Sequence, residues 1–546
     1  MSGYKKTPFY DWVPKPLMLL SIIWILVAYL FANATYSSVN SIAFGQLGLL
    51  SEDLSMASYA FSLGMVITMP LLLRFKMRFK SYQILYVTAL GLMAINALCM
   101  ITVNPTFLII LNFFAGGLKL MGLIEAVLPI MFMISPTMNR SIFYPIFYPI
   151  TIVLGQGSAW LSAWLAHHYS WVMIYPTVMI MLAVVLLIAL FIYHKEPMNR
   201  KFPLYQVDWL SFLLLGLGST LFIYFMVYGK TLNWFESDLL TGIAFVIPGL
   251  LVWFVLRQIN KKRPFITLSV FKMKSVLMSL PFMACMVVLM STSKIEGAYS
   301  AVFLNLSTYD IVSLSLWMFP GVLIGGIGSL WWFKKKLGFK GILIIGFGSF
   351  TAAHLMNYFL FAPESEVYMF YLPMFFKGLG MIILYVALSI LISQRLEMTG
   401  MISALTYLLI VRTAIGPVLF ASLNDAWFTN QRQESYVSAI SHIDATDPDY
   451  QAQVSRIYRG ARYMGNNAED AMTMAVGSQF GKWSKQAILS SAKTMAGYMT
   501  MFGIFVMFMV LISRNFPVNK RRLVRLRQKF RNEQAIDDAA TIPIPV

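Results

Sequence analysis

"NFFAGGLKLMGLIEAVLPIMFM", residues 112–133, is apolar enough to cross a bilayer, yet it carries Lys119 and Glu125. On insertion scales a charged side chain at mid-membrane costs about 2.5 to 3.5 kcal/mol. The stretch still reads as a membrane helix, because about 20 apolar residues cross about 30 Å of hydrocarbon and a helix satisfies its own backbone there. The question becomes what the two charges do. Residues six apart on a helix point about 120° from one another and lie about 9 Å apart along the axis. Lys119 and Glu125 therefore cannot form an i,i+4 pair, and each needs a partner on another helix or a wet cavity.

Similar runs recur along the whole chain. Of its 546 residues 58% are hydrophobic and 12% charged, with a mean hydropathy of +0.70, well beyond the roughly 45–50% apolar content of soluble domains. We expect an all-α polytopic membrane protein with about 14 spans. They fall near 17–37, 52–73, 82–103, 106–133, 144–166, 171–193, 209–228, 239–257, 276–302, 311–333, 341–361, 368–393, 400–424 and 494–513. Lys5, Lys6 and Lys15 precede the first span without a small-residue cleavage site, so it reads as a retained helix. Loops are short except at 425–493, where mixed charges and turn signals suggest a small helical excursion.

Net charge is +19, which raises the question of nucleic acid. With the N-terminus in the cytoplasm, the basic clusters "RFKMRFK", "HKEPMNRK", "RQINKKRP", "FKKKLGFK" and "NKRRLVRLRQKFR" all fall on one side. That is the positive-inside pattern, with both termini cytoplasmic and anionic lipid headgroups, not nucleic acid, as the partner of the charge. The tail 514–531 alternates basic and apolar residues, as an amphipathic surface helix would. Cys99 and Cys285 sit in different spans and the five histidines form no metal spacing, so neither a disulfide framework nor a metal site is expected. There is no G-x-x-x-x-G-K-[ST], nucleophile elbow or H-E-x-x-H, so no cofactor, ATP-driven step or enzyme chemistry is expected.

The ionisable residues within spans are the candidate functional groups. Besides Lys119 and Glu125 they are Lys294 and Glu296 in "STSKIEGAYS", Lys377 in "FFKGLG" and Arg412 in "YLLIVRTAIGP". Unpaired, these six would cost well over about 10 kcal/mol. They are expected to line a shared polar interior, where four cations against two carboxylates favour anionic or zwitterionic cargo. The competing reading makes them buried pairs that fix helix register. Glycine-rich stretches, "AGGLKLMG", "VLGQGSAW", "GVLIGGIGS" and "GLGMI", suit close helix approach or kinks.

Several longer motifs carry a family resemblance. "YQVDWLSFLLLGLGSTLFIYFMVYGKTLNWFESDLL" (205–240), "RPFITLSVF" (263–271), "YSAVFLNLSTYDIVSLSLWMFPG" (299–321) and "RTAIGPVLFA" (412–421) resemble the fourteen-span drug:proton antiporter family of the major facilitator superfamily, the group containing EmrB and QacA. The resemblance covers essentially the whole chain. It implies a major facilitator fold in a 6+2+6 arrangement: an N-terminal half at 1–200, two inserted helices at 201–264, a C-terminal half at 265–513 and a basic tail at 514–546. It further implies proton-coupled export of amphipathic small molecules across a bacterial inner membrane, in some members with a periplasmic adaptor and an outer-membrane channel.

The sequence also departs from the family pattern. The loop "LLLRFKMRFKSYQ" lacks the family's glycines and Asp, Asn112 stands where a buried Arg is usual, and "VLGQGSAWLSAW" lacks the family's proline. The first span offers only Asn33 and Asn40 in place of an acidic residue. The proton-coupling group is therefore sought among this chain's own embedded carboxylates, Glu125 first and Glu296 second, since desolvated carboxylates take up and release protons. Asn112, Lys119, Lys294, Lys377 and Arg412 are assigned to the substrate cavity. The rival readings are a proton-coupled importer or lipid or anionic-solute transporter of the same fold, and a non-transporting membrane scaffold or sensor.

Overall fold

Capping residues and prolines set where the helices begin. In the computed structural model, which describes residues 9–32, 39–135, 139–194, 207–394, 396, 398–441 and 448–513, Asn104 accepts a hydrogen bond from the Phe107 amide just ahead of Pro105, and Asn139 accepts one from Ser141. Helix α1 spans Lys15–Phe31 and α2 Asn40–Leu47. They are followed by α3 (Ser51–Arg78), α4 (Ser81–Ile101), α5 (Pro105–Ile134), α6 (Arg140–His168), α7 (Trp171–Phe191), α8 (Trp209–Tyr228) and α9 (Asp238–Asn260). Then come α10 (Lys274–Met290), α11 (Ser293–Val302), α12 (Thr308–Lys334), α13 (Phe339–Leu360) and α14 (Val367–Ile392). The last are α15 (Met398–Leu409), a π turn at Ile410–Ala414, α16 (Ile415–Ser441), α17 (Pro448–Tyr463) and α18 (Ala468–Ile512).

Thirteen stretches among the described residues are long and apolar enough to cross a membrane, and α1 adds an apolar helix of 17 residues. The count of fourteen is thus not reproduced in full, because the first span ends early. Buried apolar side chains gather in one large cluster within residues 9–193 and another within 270–510, with a smaller one where α3, α8, α9 and the π turn meet.

One span is discontinuous among the described residues: α10 stops at Met290 and α11 resumes at Ser293, while α1 ends at Phe31. Irregular backbone at membrane depth is tolerated only where protein or a wet cavity covers it. Both helix ends leave late carbonyls in need of donors.

Glycines fix the tightest crossings. A Cβ on Gly64 of α3 would lie 1.9 Å from the Phe113 carbonyl of α5, and one on Gly116 of α5 would lie 1.9 Å from the Phe61 carbonyl of α3. α12 and α14 repeat this: Gly321 faces the Phe375 carbonyl at 2.1 Å and Gly378 the Met318 carbonyl at 2.3 Å. In both pairs each glycine stands three residues after the carbonyl that its partner helix's glycine meets, so the two crossings share one register.

α8 and α9 are tied to the second cluster by a polar latch. Asp208 caps α8 through Ser211, and Arg257 of α9 grips the same carboxylate through Nε (3.2 and 3.1 Å) and Nη2 (2.8 Å). Gln258 donates to Ser211 Oγ (2.7 Å) and accepts from the Ile266 amide (3.2 Å), and Thr267 donates to Ser403. Burial works against charge on Asp208, but the hydrogen bonds from Arg257 and Ser211 outweigh it and hold the carboxyl below its ordinary value. The latch is therefore charged at neutral pH, and its stabilisation is lost only as pH falls through that lowered value.

The stretch 425–493 is largely a continuation of its flanking helices. α18 has 45 residues, about 67 Å of helix, far more than the hydrocarbon requires. The amphipathic α17 packs on it through Tyr450 and Trp483, whose rings are 6.0 Å apart. The basic tail and Asn33 lie outside the described residues.

Replacing Gly116 by Ala should lower stability by about 1–3 kcal/mol, since backbone must move away from the new methyl. Gly155→Ala, where nothing lies within 4 Å of the added carbon, should be close to neutral. Thermal melts of the purified variants test the contrast, and equal melting of both would show that the crossing is not set by the glycine.

Candidate functional site

Glu125 sits two-thirds of the way along α5 and is 1% exposed. Its Oε2 accepts a hydrogen bond from Lys76 near the end of α3, and Lys76 also donates to Ser81 Oγ at 2.9 Å. The other oxygen, Oε1, is buried and makes no hydrogen bond. Tyr29 and Tyr193 lie close enough to feel the carboxylate's charge, and the Tyr193 hydroxyl is likewise buried without a hydrogen bond. Lys76 is 18% exposed and so links a fully buried acid to the surface.

Lys119 solves its problem differently. Its ammonium donates to the Leu30 carbonyl at 3.4 Å, at the end of α1, and lies 5.4 Å from the centre of the Phe61 ring. A helix C-terminus carries partial negative charge, so the end of α1 stabilises this cation. Asn112, also buried, donates to the Leu108 carbonyl of its own helix at 2.9 Å.

A second cluster forms at the broken span. Glu296 lies in the first turn of α11, where the helix N-terminus favours an acid. It accepts from Lys377 Nζ at 2.8 and 2.9 Å and from Thr292 Oγ1 at 2.9 Å. His354 of α13 contacts the Leu289 carbonyl at 3.0 Å through Nε2, capping the end of α10 much as Lys119 caps α1. Lys377 stands one residue before Gly378 and Lys119 three after Gly116, so in the register of the repeat they are one helical turn apart. Lys294, two residues from Glu296, does not join them: it is 62% exposed and lies 3.7 Å from Asp425, which Lys230 also approaches at 3.8 Å.

Arg412 lies in the π turn. Pro417 lacks the amide that the Thr413 carbonyl would use and its ring crowds that position, a local reason for the wider turn. The guanidinium rests 4.7 Å from the ring centre of Tyr385 and 5.4 Å from that of Tyr148, and its Nη1 is buried without a hydrogen bond. No carboxylate among the described residues lies within ion-pair distance of it. Tyr148 comes from α6 and Tyr385 from α14, so Arg412 sits where the two large clusters meet.

The six charged candidates therefore do not share one interior. They form an acid and cation near Tyr29, a second pair beside His354, a surface triad around Asp425, and Arg412 among aromatic rings. The clusters also touch at both membrane faces. Arg140 donates to the Ser393 carbonyl at one, and at the other Ser41 and Thr308 pair at 2.9 Å while His167 stacks on Tyr309 at 5.2 Å.

Known proteins resemble the chain in sequence and in fold. No family model matches the chain. It is 22% identical over 372 residues to the colistin resistance protein EmrB of Acinetobacter baumannii, covering 62% of this chain and 66% of that protein. With the multidrug export protein EmrB of Escherichia coli K12 it shares 23% over 335 residues, 59% of this chain and 62% of the relative. The chain thus spans just under two thirds of the length of these curated relatives. Tetrameric PepTSo2 superposes with a TM-score of 0.53 at 13% identity, covering 91% of this chain and 99% of that one. A mutant of the peptide transporter POT in complex with sulfate does so with 0.53 at 13%, covering 87% and 96%. The chain has the major facilitator fold.

In secondary transporters built from repeats, discontinuous helices typically form the sites for cargo and coupling ions. The break between α10 and α11 is of that kind. Sequence reasoning missed Lys76, His354, Tyr29 and Asp425, which lie within α3, α13, α1 and α16. For Lys76 a partial signal existed: with Arg74 it continues the spacing of the buried face of α3, three to four residues beyond Leu71 and Leu72.

Replacing Lys76 by Met leaves a buried carboxylate without its counter-charge and should lower stability by about 3–5 kcal/mol. Adding Glu125→Gln should recover most of that loss. Melting temperatures of the single and double variants measure the coupling, and strictly additive losses would rule out the pair as a unit.

Proposed function

We propose that this chain is a proton-coupled secondary transporter exporting amphipathic small molecules or drugs by alternating access. In this reading it resides in a bacterial inner membrane with both termini cytoplasmic. It comprises halves at 1–200 and 265–513, the inserted pair at 201–264 and the tail at 514–546. Glu125 and, second to it, Glu296 are the proton carriers, and Lys119, Lys377, Lys294, Arg412 and Asn112 shape the field around the cargo path.

One observation carries the reading: Glu125 is buried, shares one oxygen with a partly exposed lysine and keeps the other free of hydrogen bonds. A proton arriving at Oε1 removes the charge and releases Lys76 toward Ser81 and solvent. The tie between the end of α3 and α5 is then loosened while the glycine crossing above it stays clamped. Glu296, with both Lys377 and Thr292 bound, is the less available acid. Alternating access requires the Arg140 contact or the Ser41 and His167 contacts to part in turn.

Similarity to EmrB exporters supports small-molecule cargo. A periplasmic adaptor and an outer-membrane channel belong to the same proposal, with the protruding α16–α18 region as the surface an adaptor would meet. A second reading, an importer or a lipid or anionic-solute transporter of the same fold, is favoured by Arg412, a cation at the cluster boundary with no carboxylate among the described residues.

The test is proton movement in proteoliposomes with and without an amphipathic dye. Wild type should show cargo-dependent proton flux and Glu125→Gln should lose about a hundredfold or more, the usual scale for removing an acid–base group. Undiminished flux in a correctly folded Glu125→Gln variant would refute the assignment. Cargo accumulation along the proton gradient, in place of expulsion against it, would select the second reading.

A further inference from the structure

The basic residues at the end of α9 are not used by any part of the proposed transport path. They form a cradle with a volume of about 730 Å³, lined by Asp208, Trp253, Arg257, Lys261, Lys262 and Arg263 among others. Four cations face one carboxylate. Asp208 is already held by Arg257, and Lys261 approaches it at 3.9 Å, so the cradle keeps a surplus of positive charge. Lys261, Lys262 and Arg263 are exposed.

The wall beside the cradle is apolar. α9 is the least buried of the long helices, with 17% of its span covered by the rest of the protein, so it faces lipid along most of its length. Trp253 and Leu256, on the last turns of this exposed face, border the cradle itself. A tryptophan with an apolar body and a polar N–H suits the headgroup level of a bilayer.

We propose that this cradle binds the phosphate of an anionic phospholipid, with the acyl chains lying along α9. A phosphodiester matches the residue set: Arg263 offers a planar fork of donors, and Lys261 and Lys262 offer compact charges. Basic pockets between membrane helices are the usual form of such headgroup sites. A lipid is favoured over a free phosphate because the cradle opens onto the lipid-facing wall of α9.

The experiment uses the purified full chain in detergent. Thermal melts are recorded with added phosphatidylglycerol, phosphatidylcholine or inorganic phosphate, and native mass spectrometry counts retained lipid. Phosphatidylglycerol should raise the melting temperature by a few degrees and remain bound, while phosphatidylcholine and inorganic phosphate should not. The Lys261→Gln, Lys262→Gln, Arg263→Gln triple variant should lose most of that shift. Removing Lys334, Lys335 and Lys336, a comparable cluster at the end of α12, should leave it intact. Should the triple variant fail to fold, Lys262→Gln with Arg263→Gln spares the Asp208 contact and must still reduce the shift. Equal loss in the α12 variant would reduce the effect to general surface charge. An equal response to phosphatidylcholine, or reproduction by phosphate alone, would overturn the lipid site.

Discussion

The ammonium of Lys119 rests on the carbonyl of Leu30, in the last turn of α1, which ends at Phe31. In an uninterrupted helix that carbonyl would also serve the backbone four residues on, and the partial negative charge of a helix end would be lost to the cation. The second half repeats the device: α10 stops, His354 meets the Leu289 carbonyl, and Glu296 takes the favourable N-terminal turn of α11. Helix end and buried charge thus stabilise each other, since a helix end supplies the partial charge that the side chain needs. Removing either leaves the other as an uncompensated polar group in a setting that penalises it heavily.

Around these helix ends the scaffold divides into rigid and adjustable parts. The paired crossings of α3 with α5 and α12 with α14 bring backbone within contact distance and admit no side chain at Gly64, Gly116, Gly321 or Gly378. The π turn at Arg412 is the opposite: a wider turn beside a proline, holding a guanidinium among tyrosines from the other helices. A transporter of this fold needs both, because rigid bundles must move as units while something at their boundary changes partners.

The charges also divide by what they do. Lys377 and Glu296 are paired as fully as two buried groups can be, the arrangement expected of a tie that sets helix position. Glu125 keeps one oxygen in reserve and reaches the surface through Lys76, the arrangement expected of a group whose charge changes. Lys294 joins neither, since two residues beyond a helix break it already faces the exterior.

Much of this was legible in the chain alone. Apolar run length determined the membrane helices, because the thickness of hydrocarbon admits little else. Span positions near 82–103, 209–228 and 341–361 fell within a few residues of α4, α8 and α13. Spacing on a helix determined that Lys119 and Glu125 could not satisfy one another. Periodicity could not say where a helix would stop in the bilayer: "SKIEGAYS" and "VLMST" read as one span at 276–302, whereas α10 ends at Met290 and α11 begins at Ser293. Nor could it choose partners. Lys76 reads as one of several basic residues outside the membrane, and only the parallel packing of α3 on α5 brings it to Glu125. Pairing across the bundle depends on which faces meet, a property of the assembled helices and not of any one of them.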